Sequence, residues 1–281
     1  SNREVVTGLN CMTSLPTTNI TTNQPKRLSV QITLTGLSFL IASGDGEVLF
    51  FTEKNFDTTH TPEELLFEIR SIVADHDVLR EAFEAVSLIY TTLNYSLVPT
   101  SLFDENKASE YLKFNTKILS NDFISHDEID GQNAVVVYVP LVNINNFMFE
   151  QYGSFEYYHS STILVQNFLN AEKHARDSKV YLHLLKEQVD CIIFNKGKLV
   201  LCNSYSYKTP EDFIYYVLFC FEQLKLNPET VTAILCGDIS EESEIYRILY
   251  TYVREVNFLE HSLPKLANEQ TQQHFLLKST L

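Results

Sequence analysis

From Leu28 onward the apolar residues follow two rhythms, strand alternation and helical spacing, and these recur in the same order twice. Val30, Ile32 and Leu34 alternate with polar residues, Phe39-Leu40-Ile41 runs into Gly44-Asp45-Gly46, and Val48-Leu49-Phe50-Phe51 follows. Strands joined by a Gly/Asp turn predict a hairpin. Thr61-Pro62-Glu63-Glu64 then predicts a helix start. Thr61 can cap a free backbone N–H, Pro62 suits the first helical position because its missing N–H would be unpaired anyway, and Glu64 can return a bond to the cap. Leu65, Leu66, Ile69, Ile72 and Val73 give that helix one apolar side, and Ala85 to Thr91 follows as a strand.

The second pass begins with strands at Val180 to Leu185 and Val189 to Phe194, a turn at Asn195-Lys196-Gly197-Lys198 and a third strand at Leu199-Val200-Leu201. Thr209-Pro210-Glu211-Asp212 repeats the helix start, and Val231 to Cys236 is a strand ending in Gly237-Asp238. A capping tetrapeptide alone is common; the matching order around it predicts an internal duplication. Between the two passes lie a helix at about Glu105 to Phe114 and a solvated acidic turn around Asp122, His126, Asp127, Glu128 and Asp130. A strand at Ala134 to Val139, a helix near Val142 to Glu150, a strand at Phe155 to Tyr158 and a helix at Ser161 to His174 complete this stretch. Strands alternating with helices predict α/β layers. Residues 1–27, rich in Thr and Asn, read as a polar arm, 28–178 as a first lobe and 179–281 as a second.

Composition narrows the function. The 281 residues, 44% hydrophobic and 12% aromatic, can fill two cores. A net charge of −15, from 36 acidic and 21 basic residues, repels nucleic-acid phosphates and anionic membrane surfaces, so no nucleic-acid or membrane partner is expected. The longest apolar runs, Phe213 to Phe221 and Ala134 to Val142, are nine residues each, far short of the ~20 that span a bilayer. Ser1 to Asn10 has no apolar core of a secretory signal. Five widely spaced cysteines without a CxxC disfavour a disulfide framework and the common zinc patterns, so a reducing, cytoplasmic compartment is expected.

The twofold order of hairpin, third strand, capped helix and strand ending in Gly resembles the duplicated ribonuclease H-like fold of actin-like ATPases, in the branch near bacterial pilus-assembly ATPase-fold proteins. More narrowly, four stretches resemble a bacterial domain-of-unknown-function family similar to that fold. They are Leu97-Val98-Pro99-Thr100-Ser101-Leu102-Phe103, Glu110-Tyr111-Leu112-Lys113-Phe114-Asn115, Gly197-Lys198-Leu199 with Asn203-Ser204, and Glu211-Asp212-Phe213-Ile214-Tyr215-Tyr216. The resemblance covers nearly all of Leu28 to Glu260. It implies two lobes holding a nucleotide, each offering a phosphate-facing hairpin with Asp-x-Gly. The Asp would place Mg²⁺ and the attacking water, and the Gly would let backbone N–H groups approach the phosphates.

Against that pattern the chain departs at three elements. Counted back from Gly197, His183-Leu184-Leu185 stands where Asp-x-Gly would stand. Leu28 to Ser43 contains no Asp or Glu, although Gly36 keeps a turn glycine, and the adenosine-side glycine pair is reduced to Gly237-Asp238. Losing both Asp residues removes metal placement and base placement together. The expectation is a non-catalytic binding or assembly module with a degenerate nucleotide site, with no metal and no ATP/Mg²⁺ as cofactor. Two alternatives stay open: an ATPase or phosphotransferase using Asp190, Asp238 or Glu187 as a relocated metal ligand, and a sensor of a small metabolite in the inter-lobe cleft. Gly44-Asp45-Gly46 reads as a hairpin turn because no helix N-terminus follows it to converge on an anion. The helix from Thr209 carries Phe213, Val217, Cys220, Phe221 and Leu224 on one face and Tyr215, Tyr216 and Phe219 on another. That second face is the candidate interface for a protein partner or self-association, with burial inside the chain as the alternative.

Overall fold

The computed structural model of the chain describes residues 12–14, 25–113, 118, 122–263 and 272–281. In chain order these form β1 (Met12–Ser14), β2 (Lys26–Thr33), β3 (Gly36–Ser43), β4 (Val48–Asn55), α1 (Pro62–Asp75), β5 (Ala85–Thr91), β6 (Tyr95–Pro99) and α2 (Ala108–Leu112). Then come β7 (Ser125–Ile129), β8 (Ala134–Tyr138), α3 (Val142–Tyr152), β9 (Glu156–His159), α4 (Ser160–Glu172), β10 (Ser178–Leu185), β11 (Gln188–Asn195) and β12 (Lys198–Ser206). The last are α5 (Pro210–Leu224), β13 (Thr232–Gly237), α6 (Glu244–Tyr252), β14 (Glu255–Phe258) and α7 (Phe275–Ser279). The described residues within Ser1–Ile89 and Leu141–Tyr157, with Leu281, form one compact unit; those of Tyr90–Pro140 and Tyr158–Thr280 form the other.

The first unit is built on a sheet of order β1-β4-β3-β2-β5-β9, with the final residues of β5 and β9 counted in the second unit. Leu28, Val30, Ile32, Leu37, Phe39 and Ile41 are buried in it, and α1 contributes Leu65, Ile69, Ile72 and Val73. Helix α3 is tied to α1 by Asn143 Nδ2 donating to the Pro62 carbonyl at 2.7 Å and by the Arg70 guanidinium 5.4 Å above the Phe147 ring.

The second unit is built on a sheet of order β12-β11-β10-β13-β14. On one face Val180, Leu182, Leu184, Val189, Cys191 and Ile193 pack with Phe213, Val217, Cys220 and Phe221 of α5 and Leu249 of α6. Helix α4 covers β11 and β12 from the other face, and α7 packs against α4. A smaller antiparallel sheet, β6-β8-β7, has its own core of Val98, Leu112, Val135 and Val137. Tyr111 locks it: its hydroxyl donates to the Leu102 carbonyl at 2.6 Å and accepts from the Asp104 N–H at 2.9 Å, while its carbonyl accepts from Ser96 Oγ at 2.8 Å.

The duplication is explicit in the backbone. Thr61 and Thr209 each cap a helix that begins with Pro, and each completes a reciprocal capping box, with Glu64 and Asp212 respectively. The β2–β3 hairpin closes on the pair Thr33–Gly36 and the β10–β11 hairpin on Leu185–Gln188, with two residues between in each. The register shifts at matching places too, after Ile41 of β3 and after Ile193 of β11, each the sixth residue of its strand. The resulting strand orders, β4-β3-β2-β5-β9 and β12-β11-β10-β13-β14, correspond element for element.

Three local expectations are corrected. His126, Asp127 and Glu128 lie in strand β7, paired with β8, not in a solvated turn. Alternation is hidden there because Asp127 occupies an inward position as a hydrogen-bonded carboxylate. The helix expected from Glu105 starts as a 3-10 turn, Glu105–Lys107, and only Ala108–Leu112 is α-helical; Phe114 and Asn115 lie outside the described residues. Within the polar arm, Met12–Ser14 pairs antiparallel with β4 as an added edge strand and β2 already begins at Lys26; Cys11 and most of the arm lie outside the described residues. No described helix is long and apolar enough to cross a membrane.

Candidate functional site

Strand register places a row of polar side chains across the second sheet. Ser204 of β12 pairs with Asp190 of β11, Asp190 with His183 of β10, and His183 with Cys236 of β13. Because strand side chains alternate between faces, the row shares the face that α4 covers. Asp190 and His183 are almost wholly buried, at 1% and 2% exposure. His183 Nδ1 lies 2.8 Å from Asp190 Oδ2, and Asp190 Oδ1 accepts from Gln188 Nε2 at 2.8 Å and Ser204 Oγ at 2.6 Å. A carboxylate only accepts, so His183 carries its proton on Nδ1. Burial pushes the Asp190 carboxyl up, but the His183 bond and charge, with the Ser204 and Gln188 bonds, outweigh it and hold the group below its ordinary value.

The network continues away from the sheet. The Ser204 hydroxyl also lies 2.9 Å from the Tyr95 hydroxyl, and the Tyr95 ring sits 4.4 Å from that of His159, the residue preceding α4. His159 Nδ1 caps α4 by accepting the Ser161 N–H at 3.2 Å, and its Nε2 meets the Thr92 carbonyl at 3.0 Å. One ring nitrogen therefore accepts and the other donates, so His159 is a neutral tautomer. Burial depresses its pKa to about 4. Asp127 accepts from the His159 N–H (2.9 Å), Thr162 Oγ1 (2.7 Å) and Tyr138 OH (3.0 Å). Here burial outweighs the donors and raises the carboxyl.

The residues singled out in sequence fall into separate groups. His183 and Asp190 are brought together as a buried hydrogen-bonded pair. Leu185 ends β10 and Gly36 begins β3, so both flank hairpin turns. Gly237 ends β13 at φ +90, where an added Cβ would come within 2.2 Å of the Leu184 carbonyl oxygen. Only glycine fits so close a backbone approach. The neighbouring Asp238 N–H donates to that same carbonyl at 2.8 Å, while the Gly237 N–H donates to the Gln272 carbonyl at 3.0 Å. Gln272 is itself anchored by Nε2 donating to the Ile239 carbonyl at 3.0 Å. Asp238 is exposed, as is Glu187, and no described group of three or more His, Cys, Asp or Glu converges as a metal site.

On α5, Tyr215 and Phe219 are 62% and 42% exposed, whereas Tyr216 is half-buried, stacked on Tyr205 at 4.6 Å. Sequence reasoning missed Tyr95, Ser204, Asp127, His159 and Gln272 as site residues. Ser204 stood in a quoted motif, and only strand register, unseen in sequence, joins it to Asp190.

The hairpin frame now has a counterpart among known proteins. Residues 15–256 match the family described as proteins of unknown function, DUF3822. The chain belongs to this family. The DUF3822 chain superposes with a TM-score of 0.75 on a Bacteroides thetaiotaomicron protein of actin-like ATPase fold and unknown function, at 24% identity over 87% of this chain and 94% of that one. It also matches the PilM–PilN type IV pilus biogenesis complex, with a TM-score of 0.53 and 12% identity over 83% of this chain and 88% of that one. These likenesses establish the actin-like fold for the DUF3822 chain. No curated protein matches it in sequence.

Proposed function

We propose that this DUF3822 member is a non-catalytic actin-like-fold module that binds or assembles with protein partners. The observation that carries the reading is the commitment of Asp190: both of its oxygens are taken by donors from its own sheet. A carboxylate that serves Mg²⁺ in phosphoryl transfer must keep an oxygen for the metal. Drawing Asp190 to a metal would strip His183 and Ser204 of a buried partner, which costs several kcal/mol. Residue for residue, Gln31-Ile32-Thr33 of β2 stands where His183-Leu184-Leu185 stands in β10, so the first hairpin offers a neutral amide at that place. The Gly237 N–H is likewise committed, to Gln272. The exposed Tyr215 and Phe219, with the rim of Tyr216, supply aromatic anchors for association. PilM, of the same fold, is found in a complex with PilN, which is compatible with an assembly role.

Phosphate release from ATP with Mg²⁺ should stay at background for the purified protein. Steady release abolished by Asp190→Asn or Asp238→Asn would replace this reading with an enzyme. Sedimentation of Phe219→Glu should show weaker self-association or partner capture with an unchanged fold, and unchanged association would remove this face from the proposal.

A further inference from the structure

The two sheets treat their third strands differently. In the first, β4 is covered by β1, with Thr13 opposite Glu53 at the centre of the pairing. In the second, β12 pairs with β11 and ends the sheet, with no strand beyond it among the described residues. The hydrogen-bonding phase is the same in both: the Phe56 N–H donates to the Thr35 carbonyl at 2.8 Å, and the Tyr207 N–H to the Glu187 carbonyl at 3.0 Å. Antiparallel ladders alternate inward and outward pairs, so Glu53 turns its N–H and C=O away from β3, and Cys202, Ser204 and Ser206 turn theirs away from β11. Glu53 meets Thr13 of the arm. Its counterpart Ser204 donates its N–H to the exposed Asn203 Oδ1 at 3.0 Å, a side-chain substitute that an incoming strand can displace. An open edge strand is ordinarily guarded by charge, proline or a cover. Leu199 to Ser206 has neither a charged residue nor a proline, whereas β4 carries Glu53 and Lys54 as well as its cover. The open edge also runs on into the aromatic surface of α5. Tyr205 stacks on Tyr216 at 4.6 Å, and the exposed Tyr215 ring lies 5.4 Å from Tyr216 and 6.3 Å from Phe219.

We propose that β12 pairs antiparallel with β12 of a second copy of this chain, joining the two second-unit sheets into one, with Tyr215, Tyr216 and Phe219 packing beside the added strand. Charge selects this occupant. Copies that each carry −15 repel one another and approach at least cost along a strip free of carboxylates, which β12 is. A basic partner would gain nothing from such a strip. Antiparallel pairing is also its own complement under a twofold axis, so one contact satisfies both edges and closes the assembly as a dimer. The pairing gives the association proposed above a partner and rests on that reading; the commitment of Asp190 does not depend on it.

Sedimentation velocity of the full chain across about 1–200 μM, with amide hydrogen exchange at both ends of that range, tests the pairing. A monomer–dimer equilibrium is expected, and peptides of Lys198–Ser206 should exchange at least about tenfold more slowly in the dimer, while those of β4 stay unchanged. Asn203→Glu/Ser206→Glu, at two exposed positions, sets like charges beside the twofold axis and should weaken dimerisation at least about tenfold. Ser101→Glu/Ser109→Glu adds the same charge at exposed positions outside the second sheet and should weaken it less than about threefold. Thr13→Pro, which removes an N–H from the arm strand, should leave the protection of β12 in place; its loss would assign the edge to the arm of a second copy. A chain monomeric throughout would leave the edge to a strand of another protein, and a dimer without protection of β12, or one weakened equally by the two Glu pairs, would place the contact elsewhere. Each of these results overturns the pairing. Weakening by Phe219→Glu without weakening by Asn203→Glu/Ser206→Glu would overturn the pairing and keep the association through α5.

Discussion

In the first sheet the β2–β3 hairpin sets Gln31 opposite Ser38; in the second, the β10–β11 hairpin sets His183 opposite Asp190. Both pairs are the third from a two-residue turn, and both strands shift register at the same later position. The third strands extend the rows with Glu53 in one case and Ser204 in the other. Strand pairing and turn length fix where the side chains stand, and the two halves agree on that. They differ in chemistry: a neutral amide and hydroxyl in the first, a buried carboxylate and imidazole in the second. The fold thus tolerates quite different occupants at the hairpin position, provided each is satisfied locally.

The largest expected difference between the halves comes from removing one member of each pair. Asp190→Ala or His183→Ala should cost about 3–5 kcal/mol in denaturant unfolding, because each leaves a buried polar group uncompensated. Ser38→Ala in the first sheet should cost no more than about 1 kcal/mol, since only a neutral group is lost. Equal costs in the two sheets would erase the contrast.

Acid should reveal the same asymmetry. His159 titrates near 4 when folded and near 6.5 when unfolded, so between these values the unfolded chain binds a proton that the folded chain refuses. Its contribution is complete above about pH 6.5 and falls by about 3 kcal/mol as the pH drops to about 4. Asp190, depressed in the fold, adds a further loss as the pH falls through its folded pKa, while Asp127, raised, acts in the opposite sense. His159→Gln should flatten the slope of stability against pH between 4 and 6.5, and an unaltered slope would show that the folded histidine is not held neutral.

Where the two halves agree, the effects should be small and alike. Thr61→Ala and Thr209→Ala each remove one side of a capping box, and each should cost about 1 kcal/mol. A clear inequality would mean that the two helix starts carry different loads despite their shared geometry.

The duplicated frame was legible because its signals are local: apolar alternation, turn residues and the Thr-Pro-acidic helix starts. The last part of the chain was less so. In α6, Ile245, Ile248 and Leu249 sit among Tyr and charged residues over only 9 residues, and β14 has only 4. Strand β7 hid because Asp127 takes an inward position that a hydrophobic residue usually fills. The site was legible at His183 and Asp190 as single residues, but their pairing depends on register between strands. Tyr95 and His159 reach the network from far along the chain, and Gln272 serves Gly237 through its carbonyl, which any residue type possesses. No side-chain pattern announces such a contact.

In the proposed function the second hairpin uses its carboxylate to hold the sheet and not a nucleotide's metal. Thermal unfolding with and without saturating ATP and Mg²⁺ tests it most directly, because a ligand present at 100 times its dissociation constant adds about 2.7 kcal/mol of stability, a rise of a few degrees for a protein of this size. The melting temperature should be unchanged by ATP with Mg²⁺. A rise of several degrees that needs both ATP and Mg²⁺, and that disappears in Asp190→Asn, would contradict it.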